Sequence, residues 1–225
     1  MEENFKNRLE TVMADRKITR WGVENGLNSG TTGRINQGHV PGADIQTLIM
    51  RIENVSTSWL MDKSGSPYLH HQVHSDEDGA AFLDELFAED WKIYVLTCPL
   101  GQILVLTLPA QMAYKKEHID YTAIEVLHGA LGDRCRQVVK EHGPVLCQSI
   151  EPALYQRAIR EGMGTFELLG DDNHPGLLDG AQACDEMPVI EREHCEELDQ
   201  FYGLTEAQQA NVLSIISDLA KSNQG

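Results

Sequence analysis

Gly26-Leu27-Asn28-Ser29-Gly30-Thr31-Thr32-Gly33-Arg34-Ile35-Asn36-Gln37-Gly38 decides how the front of this chain folds. Gly26 sits where a helix should end, because glycine enters left-handed backbone freely. Asn28-Ser29 supplies the polar cap of a new helix running to about Gln37. Upstream, Lys17-Ile18-Thr19 interrupts the apolar pattern, and Thr19 is the expected N-cap of a second helix anchored by Trp21, Val23 and Leu27. Phe5, Leu9, Val12 and Met13 recur at helical spacing and predict a first helix with one apolar face. Downstream, Gly38-His39-Val40-Pro41-Gly42 has loop composition. Ile45, Leu48, Ile49 and Ile52 predict a fourth helix, and Ser56 caps a fifth, short one around Trp59-Leu60. Residues 1–68 therefore read as an all-α domain of five helices, the second and third joined by a tight turn.

Gly26, Leu27, Ile35 and Gly38, with Pro41 in the loop that follows, resemble the turn and recognition helix of the lambda-type and Xre-type phage repressor family. Val55-Ser56-Thr57-Ser58-Trp59-Leu60, then Gly65 and Pro67-Tyr68, is similar to the end of the phage repressor subgroup, where a Trp-Leu pair packs the fifth helix. The resemblance covers about residues 4–68, under a third of the chain. It implies a helix-turn-helix domain whose third helix enters the major groove of an operator. That groove is roughly 12 Å wide and admits a helix whose outward residues are small or hydrogen-bonding. Ser29, Gly30, Thr31, Thr32, Gly33 and Arg34 meet that requirement. Arg34 is the expected guanine reader, while Ser29 and Thr31 would touch base edges or a thymine methyl group. Asn36 and Gln37 fall where the family contacts phosphate. Lys17, Thr19, Arg20 and Asn28, at the two helix starts, complete the expected DNA contacts. Two departures stand out. The family often has Gln at the start of helix 2, where this chain has Ile18 or Thr19. Gly30 and Gly33 each cost an isolated helix about 1 kcal/mol relative to Ala, which implies close approach to DNA or tight packing on helix 2.

The net charge of −17 is unevenly spread. Residues 1–68 carry eight Lys/Arg and eight Asp/Glu, whereas residues 69–225 carry ten and twenty-seven. The front can present a locally basic face to phosphate, and the rear would repel DNA, which suits self-association or a protein partner better. Residues 69–80, with His70-His71, His74 and the run Ser75-Asp76-Glu77-Asp78-Gly79, read as an acidic linker between domains. Residues 81–225 read as an α+β domain. Trp91–Thr97 and Gln102–Leu108 are rich in β-branched and aromatic residues and flank the turn Cys98-Pro99-Leu100-Gly101, a hairpin pattern. Tyr121–Leu127 adds a third strand to a small antiparallel sheet. Residues 132–142 and 153–161 look helical, 170–188 loop-like, and a C-terminal helix spans about 205–221. Its stripe Val212, Ile215, Ile216 and Leu219 is either an oligomer surface or intramolecular core.

Other chemistry has weaker support. His70-His71-x-x-His74 with Asp76 and Asp78 has metal-ligating residue types but no expected element to fix it, and His194-Cys195 with Cys184 is weaker still. Five widely spaced cysteines without a CxxC read as free thiols. Many phage repressors carry a self-cleaving Ser/Lys peptidase behind such a front end, yet Ser149, Ser214, Ser217 and Ser222 show no serine-methionine motif followed by a strand lysine. The acidic stretches at Asp171-Asp172 and 185–197 read as solvated faces. No nucleotide loop, nucleophile elbow or HExxH is present. No cofactor or enzyme activity is expected. The acidic N-terminus lacks a secretory h-region and no run spans a bilayer, so a cytoplasmic location and no membrane partner are expected. The leading expectation is a phage or prophage repressor binding a pseudo-palindromic operator as a dimer or tetramer. The alternative is a regulator whose rear domain senses a small-molecule or protein inducer, recognisable by a sizeable apolar pocket near residues 91–127. Third comes an enzyme with an appended helix-turn-helix.

Overall fold

The computed structural model describes residues 4–189, 201 and 204–222. Five helices form the front: α1 (Phe5–Met13), α2 (Ile18–Glu24), α3 (Ser29–Asn36), α4 (Ala43–Glu53) and α5 (Thr57–Asp62). Their apolar positions converge as the spacing predicts, except that Val23, expected to anchor the second helix, is 58% exposed, and Ile18 takes that place in the core. Phe5, Leu9, Val12, Met13, Trp21, Leu27, Ile35, Ile45, Leu48, Ile49, Trp59 and Leu60 are all buried in one core. The Ser56 hydroxyl accepts from Trp59 N–H and caps α5. Helix α2 begins earlier than expected, with Lys17 rather than Thr19 at its N-cap. The buried Ile18 side chain draws the first turn inward and leaves Thr19 exposed.

Buried charge ties the helices together. Arg8 donates to the Leu60 and Met61 carbonyls at 2.8 and 2.6 Å, satisfying the end of α5. Glu53, only 1% exposed, accepts two bonds from Arg16 at 2.8 and 2.7 Å and one from Trp21 Nε1 at 2.6 Å.

Residues 69–80 do not form a linker. His71–Val73 is strand β1, and Asp76–Leu86 is helix α6, capped by the Ser75 hydroxyl. The acidic run is the first turn of a helix, where carboxylates are favoured. Asp76 also accepts backbone N–H bonds from Gly132, Arg134 and Cys135. Burial would raise its carboxyl, but these three donors win and hold it below the usual range.

The rear sheet is larger than expected and mixed. After β1 come β2 (Lys92–Cys98), β3 (Gly101–Tyr114), β4 (Glu117–Gly129), α7 (Asp133–His142), β5 (Val145–Ser149), α8 (Pro152–Glu161) and α9 (Thr165–Leu169). The residues expected to be a loop hold a short hairpin, β6 (Gly170–Asp171) with β7 (His174–Pro175), a 3-10 turn at Leu177–Gly180 and edge strand β8 (Gln182–Cys184). The six strands run β1-β4-β3-β2-β5-β8, with β1/β4 and β2/β5 parallel and the other neighbours antiparallel. Ile93, Val95, Leu104 and Leu106 face α6 and α7, whereas Tyr94, Leu96, Ile103 and Val105 face α8 and α9. Both faces are covered, which is why these strands read as unbroken apolar runs. The Cys147 and Cys184 sulfurs are joined across β5 and β8, correcting the expectation of free thiols there. Cys98 and Cys135 are free and buried.

The β3–β4 hairpin is longer than the sequence suggested, and its far end, still paired, runs past the end of β2 to complete the helical core. Tyr114 and Ile119 are 4% and 7% exposed among the residues of α1–α5, with Met112 packed alongside. Asn54 Nδ2 donates to the Leu69 and Met163 carbonyls, and Arg16 lies 4.2 Å over the Phe166 ring. Helix α10 (Glu206–Ser222) closes the described chain. Among the described residues no helix is long and apolar enough to cross a membrane.

Candidate nucleic-acid interface

Helices α2 and α3 pack on each other across the turn at residues 25–28. Gly26 takes φ +75°, as a glycine ending a helix does, and Ile119 of the hairpin tip lies beside it. The Asn28 side chain accepts from Thr31 N–H at 2.8 Å and caps α3. The close approach of the two helices depends on Gly22. A Cβ there would stand 2.3 Å from Thr32 Cγ2. Sequence reasoning missed this residue, because Gly22 sits inside a helix and shows no turn chemistry.

The expected contact residues divide by face. Thr32 is 1% exposed, turned onto α2, with its hydroxyl donating to the Ser29 carbonyl at 3.1 Å. It therefore leaves the outward set. The cap bond occupies Asn28 Oδ1, which takes that atom out of direct base contact. Ser29, Gly30, Arg34, Asn36 and Gln37 are exposed, and Thr31 is half-buried. Gly30, Arg34 and Gln37 fall at helical spacing along one line opposite the buried side. An added Cβ at Gly33 would meet nothing within 4 Å, and one at Gly30 only the Asn28 oxygen at 3.4 Å. The two glycines of α3 thus bare its backbone on the open side and take no part in packing on α2.

A cleft of about 170 Å³ beside α3 is lined by Thr31, Arg34, His39, Val40 and Pro41 among others. His39 N–H donates to the Arg34 carbonyl at 3.0 Å, so the following loop folds back against the helix. His39 was not among the expected contacts. Its only sequence signal is a hydrogen-bonding ring within the 38–42 loop.

At the start of α2, Lys17 and Thr19 are exposed. Arg20 Nε meets Glu24 Oε1 at 2.7 Å. Glu24, by hydrogen bond and charge, holds the guanidinium above its ordinary pKa, and the carboxylates of Asp171 and Asp172 add to that field.

The remaining expectations disperse. His71 pairs with Glu125 at 2.7 Å, and His70 stacks on His128. Among the described residues no group of three or more His, Cys, Asp or Glu gathers as a metal site. Residues 190–200, with His194 and Cys195, and the Leu219 side chain lie outside the described residues. Of the stripe on α10, Ile215 and Ile216 are 60% and 55% exposed and Val212 is half-buried. A cavity of about 250 Å³ opens between α4 and β4, against Tyr121, Ala123 and Ile124, in the region where the alternative reading would place a sensor pocket. The chain matches no family model, no curated protein and no solved structure.

Proposed function

We propose that this chain is a sequence-specific DNA-binding repressor of phage or prophage type. In this reading α3 reads the operator, and a homodimer or higher oligomer presents two copies to a pseudo-palindromic site. The observation that carries the reading is the two-sidedness of α3. Its inner side is specialised for packing, with Thr32 seated against Gly22 and Ile35 in the core. Its outer side is bare backbone at Gly30 and Gly33, with Ser29, Arg34 and Gln37 exposed around it. A helix that served only to fill a bundle would gain about 1 kcal/mol from alanine at each of those open glycines. Leaving them bare suits a helix whose backbone approaches another surface closely, and Arg34 suits bidentate contact with guanine.

The α2–α3 pair carries no large basic excess, and the chain as a whole is acidic. Affinity would then rest on a few placed contacts multiplied by linkage of two copies. Lys17 and the amides at the start of α2 are assigned to phosphate. Arg20 reaches phosphate by giving up Glu24.

The test is selection of bound fragments from genomic DNA with wild type and Arg34→Ala across a salt series. The expected wild-type result is a palindromic consensus with half-sites about 34 Å apart or a multiple of that. Arg34→Ala should relax specificity at one position per half-site and cost about 1–3 kcal/mol there. Salt-sensitive binding without an enriched sequence would overturn the repressor reading. Unchanged specificity in the variant would overturn only the role of Arg34.

A further inference from the structure

The cavity between α4 and β4 is built from three separate parts of the chain. Helix α4 contributes Met50, Arg51 and Asn54. The crossing segment gives Leu69 to His71, and β4 gives Tyr121, Ala123, Ile124 and Glu125. Its walls are held by bonds that do not involve a ligand. Asn54 Nδ2 spans the Leu69 and Met163 carbonyls at 3.1 and 2.9 Å. His70 lies between His128, at 2.9 Å, and the Ser66 hydroxyl, at 3.0 Å. His128 is buried, and desolvation with the neighbouring histidines drives its pKa down to about 3, so it stays neutral. Glu125, the one carboxylate of the lining, is engaged by His71 at 2.7 Å.

Two lining residues are not used by the fold in this way. Arg51 is exposed, and among the described residues its guanidinium enters no ion pair or hydrogen bond. Leu69 is an aliphatic side chain left 41% exposed at the same opening, beside Tyr121 and Ile124. Arg51 therefore offers an unengaged guanidinium beside open apolar surface, although the molecule's net charge is −17.

We propose that this cavity binds a small organic monocarboxylate with an apolar body. Arg51 takes the carboxylate through charge-assisted hydrogen bonds. The body lies against Leu69, Tyr121 and Ile124. One guanidinium balances one carboxylate, whereas a phosphate dianion would bring a second negative charge toward Glu125. The volume of about 250 Å³ fits a single ring or a short branched chain. The site joins the helical unit to the sheet, so its occupant touches both. The proposal stands independently of DNA binding, and its test uses no DNA.

The probes are 3-phenylpropanoate and its amide, 3-phenylpropanamide, which match in shape and differ in charge. Each is titrated into the full-length protein and followed by amide NMR shifts. The acid should bind saturably, with shifts centred on residues 50–54, 69–71 and 121–125, and about tenfold more tightly than the amide. Arg51→Gln should remove the preference, leaving acid and amide alike. Leu69→Ser should weaken both compounds together and keep the preference. Both residues are exposed, so these variants should fold. No saturable binding of either compound would overturn the proposal. So would equal binding of acid and amide to wild type, a preference that survives Arg51→Gln, or shifts centred elsewhere.

Discussion

Gly22 carries much of what is particular about the front of this molecule. Its missing side chain lets α2 and α3 close on each other, and the same contact turns Thr32 inward. Gly22→Ala would place a methyl group 2.3 Å from Thr32 Cγ2, and Thr32 is held in the core with its hydroxyl bonded to Ser29. Overpacking of this kind costs about 1–3 kcal/mol, so the variant should unfold at lower urea than wild type. Thr32→Ser keeps the hydroxyl and deletes the obstructing methyl group. Introduced beside Gly22→Ala, it should recover most of the loss. Equal midpoints for wild type and Gly22→Ala would mean that the helix pair has slack. Sequence shows a glycine's presence but not what faces it. The cap at Asn28 and the turn at Gly26 were legible because their chemistry is local. The role of Gly22, and the loss of Thr32 from the outward set, depend on a partner ten residues away.

Legibility falls off among the elements for similar reasons. The five front helices follow from apolar spacing and caps, and β2–β3 from an unbroken apolar hairpin. Helix α6 was hidden because its first turn is the acidic run Asp76-Glu77-Asp78, which has linker composition, and only Phe82, Leu83 and Leu86 at its far end mark a helical period. Strand β5 has five residues and pairs in parallel with β2, a long-range contact with no turn to announce it. The β6–β7 hairpin read as a solvated acidic loop, and its acids are indeed exposed. What the fold adds is their location. Arg16 stacks on Phe166, Phe166 meets His174 edge-on at 5.9 Å, and His174 bonds Asp171. The acidic turn is thereby held near the start of α2, close enough for Asp171 and Asp172 to act on Arg20. Under the proposed function that is where phosphate should sit, and the turn opposes it. Asp171 also shapes the turn by accepting from the Asn173 and His174 backbones, so Asp172 is the cleaner probe. Asp172→Asn should tighten operator binding about twofold at low ionic strength, and the gain should vanish near physiological salt as screening sets in. Unchanged affinity at low salt would remove the turn from the DNA surface.

At the scale of the whole molecule, the helical unit is not tethered by a loose linker. The hairpin tip fills its core, Asn54 ties it to Met163, and β1 enters the sheet directly after it. Under the proposed function, two such units on one operator would be positioned by whatever joins the rear units. Those rear units carry most of the negative charge, so bringing two copies together costs electrostatic work. A self-association surface must therefore be apolar enough to offset it. Helix α10 has the required character, with Leu213, Ile215 and Ile216 all more than 40% exposed. Large aliphatic side chains clustered on one short stretch seldom face water without a partner. Ile215→Glu with Ile216→Glu should convert the protein to a slower-sedimenting species of monomer mass and leave its circular dichroism spectrum unchanged, because both side chains are exposed in the single chain. Operator affinity should fall in the same variant, since the second half-site is no longer reached at the effective concentration that linkage provides. Binding to an isolated half-site should stay the same, which separates loss of assembly from loss of reading. A double variant that keeps the wild-type mass would move the interface away from α10. A variant that becomes monomeric yet binds the full operator as tightly as wild type would show that assembly plays no part in recognition.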